Sequence, residues 1–100
     1  MTTTLLVSPR SKVAACAIVL RRAQLPAEVG YDRHVGHHVR VNVAGSNPGY
    51  YLVTPARVEQ FRVRWYPRNS QPPRPDLLGI VDTPARAAGL ILDHYEGLVR

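Results

Sequence analysis

The sequence predicts a small α+β protein, with a three- to four-stranded antiparallel sheet packed against a C-terminal helix and an N-terminal helix beside it. Three observations carry that expectation. Phe61, Arg62, Val63, Arg64, Trp65 and Tyr66 alternate with period two, so Phe61, Val63 and Trp65 share one side of an extended chain and Arg62, Arg64 and Tyr66 the other. Val39, Arg40, Val41, Asn42 and Val43 repeat the arrangement, with valines inward and Arg40 and Asn42 outward. Thr83-Pro84 after Asp82 is a helix start, with a capping hydroxyl and a proline at the first helical position.

Residues 1–10 contain three threonines and a Ser-Pro step without periodicity and are expected to fray, leaving residues 11–100 as a single domain. Ser11 offers an N-cap. Over residues 12–24 the alanines favour helix, with Val13, Cys16, Ala17, Leu20 and Gln24 on one stripe. The same apolar run equally suits a buried strand, which periodicity does not decide, and a helix is the expectation. Pro26 stops it, and residues 27–38, polar and glycine-bearing, read as a connecting loop carrying Asp32, Arg33, His34, His37 and His38.

Residues 39–44 follow as a strand, residues 45–49 as a turn rich in Gly, Asn and Pro, and residues 50–53 as the returning strand. Thr54-Pro55 interrupts that strand, by a bend or by a short helical turn through residues 57–59. After the strand at 61–66, residues 69–76 hold Pro72, Pro73 and Pro75 and read as an exposed polyproline spacer. Residues 77–81 form another short strand. Along the last helix Ala87, Ala88, Ile91, Tyr95 and Leu98 make a buried stripe, Arg86, Asp93 and Glu96 face water, and Gly89 marks a point of close packing.

One hundred residues suffice for one core and exclude a multidomain machine. The net charge of +6 is unevenly placed. Residues 1–75 hold eleven Arg or Lys against Glu28, Asp32 and Glu59, whereas residues 76–100 sum to −2. Such a directional field draws anionic partners to one side of the fold. The lone Cys16 forms no internal disulfide and reads as a small buried hydrophobe, so a reducing cytoplasm is the expected location. The apolar run at 13–20 is far short of the roughly 20 residues that span a membrane, and no membrane partner is expected.

Two strands presenting arginines from one surface point to a polyanion. Arginine supplies salt-dependent phosphate affinity, a β-ribbon fits the DNA major groove, and Tyr50, Tyr51 and Tyr66 offer stacking platforms for unpaired bases. The bland account of the same pattern is that exposed strand positions carry charge to prevent edge-to-edge association. Arg21, Arg22 and Arg33 extend the cationic surface or complement the dipole at the end of the first helix. Asp32, His34, His37 and His38 are metal-ligating types, but Arg33 and Arg40 flank them and the spacing matches no standard motif, so neither metal nor cofactor is expected. Asp93 and His94, adjacent on a helix, point about 100° apart and read as surface. Without a phosphate-binding glycine loop or a nucleophile elbow, no catalytic residue is assigned.

The run Leu78, Gly79, Ile80, Val81, Asp82, Thr83, Pro84, Ala85, Arg86, Ala87, Ala88 resembles the third-strand-to-helix junction of AP2-type DNA-binding domains, which also occur in phage-encoded and integrase arm-binding proteins. The resemblance spans residues 61–100. It implies a sheet that enters the major groove with the helix behind it, and it places Arg62, Arg64, Trp65 and Arg68 on or near the DNA-reading face. The family's Gly-Lys-Trp approach to the second strand is absent, and the loop at 69–76 is longer than its tight turn.

The expectation is therefore a non-enzymatic, accessory or regulatory nucleic-acid-binding protein. Arg40, Arg62, Arg64 and Arg68 contact DNA, Tyr66 stacks, and Trp65 anchors the core beneath. The alternative is a protein-protein adaptor of a phage or mobile element, engaging a host protein by strand addition or through an aromatic patch around Tyr50 and Tyr51. A homodimer through an exposed strand edge is compatible with either.

Overall fold

The computed structural model describes residues 8–45, 47–57, 59–68 and 74–99. Among them the chain order is α1 (Pro9–Arg22), β1 (Ala27–Asp32), β2 (Gly36–Val43), β3 (Gly49–Pro55), β4 (Phe61–Pro67), β5 (Asp76–Val81) and α2 (Pro84–Leu98). The strands form one five-stranded antiparallel sheet in sequential order, a meander, so the fold is α+β with more strands than the expected three to four.

The additional strand is β1, which lies where the sequence reads as a connecting loop. Of its six residues only Ala27 is buried, so no alternating apolar signal marks it. What makes it a strand is its partner: Ala27 to Asp32 pair in unbroken register with Val41 to Gly36. Asp32 closes this hairpin by accepting the backbone N–H of His34 at 2.7 Å and of Val35 at 3.4 Å, a side-chain mimic of a backbone turn.

The helix at the N-terminus forms as expected but begins earlier. Ser8, not Ser11, is its cap: the Ser8 hydroxyl accepts the N–H of Ser11 at 3.2 Å, and Pro9 occupies the first turn. Residues 8–10, expected to fray, thus open the helix, and residues 1–7 lie outside the described residues. At the other end Leu25 N–H bonds to Leu20 O and Gln24 N–H to Arg21 O, both at 3.0 Å, the paired closure of a left-handed helix terminus. Gln24 takes that left-handed position with φ of 66°, so it stands outside the buried stripe of Val13, Cys16, Ala17 and Leu20.

Pro55 does not break β3. It is the last residue of the strand, opposite Phe61, while the ladder to β2 already ends at Val53, so proline's missing N–H leaves no gap there. The link to β4 is a tight turn in which Ala56 N–H bonds to Gln60 O and Gln60 N–H to Arg57 O. The polyproline segment falls largely outside the described residues, and Asp76 already belongs to β5.

Both helices lie on one face of the sheet. Val39, Val41, Tyr51, Val53, Phe61, Val63 and Trp65 turn toward them and pack with Val13, Cys16, Ala17, Leu20, Ala87, Ala88 and Ile91 into a single core. In α2 the Thr83 hydroxyl caps as expected, accepting from Arg86 N–H at 3.1 Å. Its stripe needs two corrections: Tyr95 is exposed, and a side chain at Gly89 would meet open space rather than a close neighbour. No helix among the described residues is long and apolar enough to cross a membrane.

Candidate nucleic-acid interface

Because both helices cover the same side, no helix or strand among the described residues lies over the other side of the sheet. The registers assign its positions. One row across the strands reads Glu28, Arg40, Leu52, Arg64, Leu77; Arg62 stands opposite Thr54 and Ile80; Asn42, Tyr50 and Tyr66 form a further row. The expected site residues Arg40, Arg62, Arg64 and Tyr66 are therefore brought onto one surface by β2 and β4. Arg68 is exposed one residue past β4, its N–H fixed to Pro48 O at 2.9 Å. Trp65, placed near the DNA-reading face by the family resemblance, instead lies in the core on the opposite side.

The aromatic residues of this face are organised with a cation. Tyr50 and Tyr66 stack across the β3–β4 pair, with ring centroids 4.8 Å apart and planes 7° from parallel. On the other flank the Arg40 guanidinium carbon sits 3.9 Å from the Tyr50 ring centroid. Arg40 Nε also donates to Asn42 Oδ1 at 2.9 Å, which holds the guanidinium over the ring. Among the described residues the ion pair is Arg86–Asp82 at the start of α2, and no carboxylate lies at ion-pair distance from Arg40, Arg62 or Arg64. Leu52, flanked across the strands by Arg40 and Arg64, is only 5% exposed although no helix covers it. The aliphatic stems of long charged neighbours are suited to such cover.

Sequence reasoning missed two parts of this face. Tyr50 is the stacking partner of Tyr66, a pairing that only the β3–β4 register creates. Asp32 and His38 border the same surface, joining Arg40, Tyr50, Leu52 and Tyr66 around a shallow groove of about 270 Å³. Asp32 ends β1 and His38 lies near the start of β2, within the stretch 27–38 that reads as a loop in the sequence, which hides their common face. The other basic positions fall elsewhere: Arg21 Nε donates to Ala27 O at 2.9 Å on the helix side, and Arg33 lies in the turn of the β1–β2 hairpin. His37 leans on Tyr31 with centroids 4.9 Å apart, whereas the His38 ring lies across Gly30, so the two imidazoles take different neighbours. Among the described residues no group of three His, Cys, Asp or Glu side chains gathers around a point.

The aromatic patch proposed around Tyr50 and Tyr51 is not one surface, because the two side chains leave opposite faces of β3. Tyr51 is fully buried, tilted on Trp65 at 4.5 Å, and its hydroxyl is hydrogen-bonded to His94 Nδ1 at 2.8 Å. His94, expected at the surface, is thus an internal partner of the core. Burial raises the Tyr51 phenol to about 12, the Tyr95 phenol adding to the effect, and burial alone raises the Cys16 thiol to about 11.

Both groups are neutral in the fold and ionise more readily in the unfolded chain. Stability is therefore intact below pH 9 and declines as pH rises, through 9 to 11 for Cys16 and 10 to 12 for Tyr51. Chemical denaturation followed by far-ultraviolet circular dichroism at graded pH is expected to show that loss, and Tyr51→Phe to remove its upper part. The same variant costs about 1 kcal/mol at neutral pH by leaving His94 without its partner. A denaturation midpoint no lower at pH 12 than at pH 8 would contradict the account.

Comparison of the chain with family models, curated proteins and solved structures finds no match.

Proposed function

We propose that this protein binds nucleic acid through the uncovered face of its sheet. The observation that carries the reading is the convergence of Arg40, Arg62 and Arg64 on that face, without carboxylate partners among the described residues and beside the stacked Tyr50 and Tyr66. Guanidinium groups there neutralise phosphates and release counterions, which is the main source of sequence-independent affinity. With Tyr50 sandwiched between them, the Tyr66 ring and the Arg40 plane at the two ends of the stack supply π surface for bases, and Arg68 extends the cationic track past the end of β4. The role is accessory or regulatory binding, with no catalytic residue assigned.

A fluorescence anisotropy titration with labelled oligonucleotides tests the reading. Three to four phosphate contacts correspond to a loss of about tenfold or more in affinity between 50 and 200 mM salt. No detectable binding at 50 mM salt overturns it. A second reading, an adaptor that receives a strand from a protein partner, is favoured by the free edge of β5, where Leu77 and Ile80 are 57% and 49% exposed. Recovery of one protein in a nuclease-treated pull-down, lost when Leu77 and Ile80 are replaced by lysine, supports that alternative.

A further inference from the structure

The groove on the uncovered face has chemistry that phosphate binding leaves unused. Leu52 forms its apolar floor, the Tyr50–Tyr66 stack and the Arg40 guanidinium border one end, and the β1–β2 hairpin closes the other with Asp32. About 270 Å³ is less than the space that drug-sized ligands occupy, and it accommodates one flat ring system. The His38 ring is laid over Gly30, where a Cβ would come within 2.8 Å of its Nε2, and Nδ1 is held 3.0 Å from Gly36 O. The ring thereby borders the groove on the β1 side and is fixed there.

Asp32 is out of place on a surface that attracts phosphate. A carboxylate beside a polyanion track repels it, unless the group has a donor to accept from. Its Oδ1 takes the N–H groups of His34 and Val35, which fix the side chain, and these bonds, with smaller electrostatic help from the His34 and His38 rings, hold the carboxyl below its ordinary range, so it is ionised at neutral pH. Its other oxygen makes no hydrogen bond within the described structure, and no Lys, Arg or His forms an ion pair with it among the described residues.

The width of the face argues for unpaired strands. Five strands at about 4.8 Å spacing make a surface roughly 19 Å across, wider than the roughly 12 Å major groove that admits a two-stranded ribbon. An intact duplex also keeps its base faces stacked and its amino groups paired.

Resting on the nucleic-acid reading above, we infer that this groove is a nucleobase subsite for single-stranded nucleic acid, in which Asp32 accepts a hydrogen bond from the exocyclic amino group of an unstacked base. Carboxylates read cytosine in this way through its N4 amino group, while uracil presents a carbonyl at the same position. The groove therefore prefers cytosine to uracil, and the arginines hold the flanking phosphates.

The test compares oligo(dC), oligo(dU) and a duplex of the same length, by anisotropy at one salt concentration, for the natural protein and for Asp32→Asn. Asparagine keeps the carbonyl oxygen that the turn requires, and circular dichroism checks the fold. The expected result is that oligo(dC) binds about fivefold or more tighter than oligo(dU) and tighter than the duplex. Asp32→Asn brings the two single strands within about twofold while the salt dependence stays unchanged. Equal affinity for the two single strands, or a preference untouched by Asp32→Asn, overturns the subsite and leaves the nucleic-acid reading standing. A duplex bound as tightly as oligo(dC) overturns the single-strand assignment. Absence of binding to all three at 50 mM salt overturns both readings.

Discussion

Arg62→Gln combined with Arg64→Gln is expected to weaken nucleic-acid binding about thirtyfold or more at 50 mM salt and to leave the fold intact. Both side chains stand on the uncovered side of β4, and neither has a carboxylate partner among the described residues, so their charge serves no internal pair. Glutamine keeps most of the aliphatic stem beside Leu52 and Thr54, both nearly buried, and removes only the guanidinium. Two phosphate contacts at about 1 kcal/mol each correspond to that thirtyfold change. On a single strand each lost contact lowers the slope of log affinity against log salt by about 0.7, so the double variant flattens it by about 1.4. Thermal stability is expected to change by no more than about 0.5 kcal/mol, since both side chains are half-buried surface groups without an ion pair and the substitution keeps their inner methylenes. Unchanged affinity and slope would remove the uncovered face from the binding account.

Trp65→Ala, between Arg64 and Tyr66 on the same strand, is expected to do the reverse. The indole is buried against Tyr51 at 4.5 Å and His94 at 5.5 Å, and it lies directly over Gly49, where an added Cβ would sit 2.6 Å from the ring. Truncation leaves a large void in a small core and costs about 3–5 kcal/mol. A domain of this size has about 5–15 kcal/mol in total, so its thermal midpoint is expected to fall by more than about ten degrees. Thermal melting followed by circular dichroism measures it. A midpoint within about two degrees of the natural protein would show that the indole does not anchor the core.

The two variants divide one strand by parity, and parity is what the sequence displayed most clearly. Phe61 to Tyr66 alternates without exception, so the inward Trp65 and the outward arginines were legible before any tertiary information. Thr83 and Pro84 were equally plain, because a cap and a first-turn proline are local chemistry. Information carried only by neighbours was not legible. β1 exists through its ladder to β2, and Glu28, Gly30 and Asp32 look like loop residues until that partner is known. His94 takes an inward position on α2 because the Tyr51 hydroxyl awaits it there, whereas hydrophobicity alone would place Tyr95 inside. The Tyr50–Tyr66 stack depends on the β3–β4 register, which no local pattern sets. The family resemblance implies Trp65 on or near the DNA-reading face with its arginine neighbours, and the alternation of β4 places it in the core.

A charged, uncovered sheet face is also compatible with a purely protective role against edge-to-edge association, and the location of bound nucleic acid separates the two. A heteronuclear single-quantum titration that follows backbone amides and arginine Nε–H signals while oligo(dC) is added tests this most directly. The account predicts saturable shifts at Arg40, Arg62 and Arg64 and at the amides of Tyr50, Leu52 and Tyr66, with α1 and α2 nearly silent. Shifts concentrated on the helices, with those arginines unmoved, would contradict it.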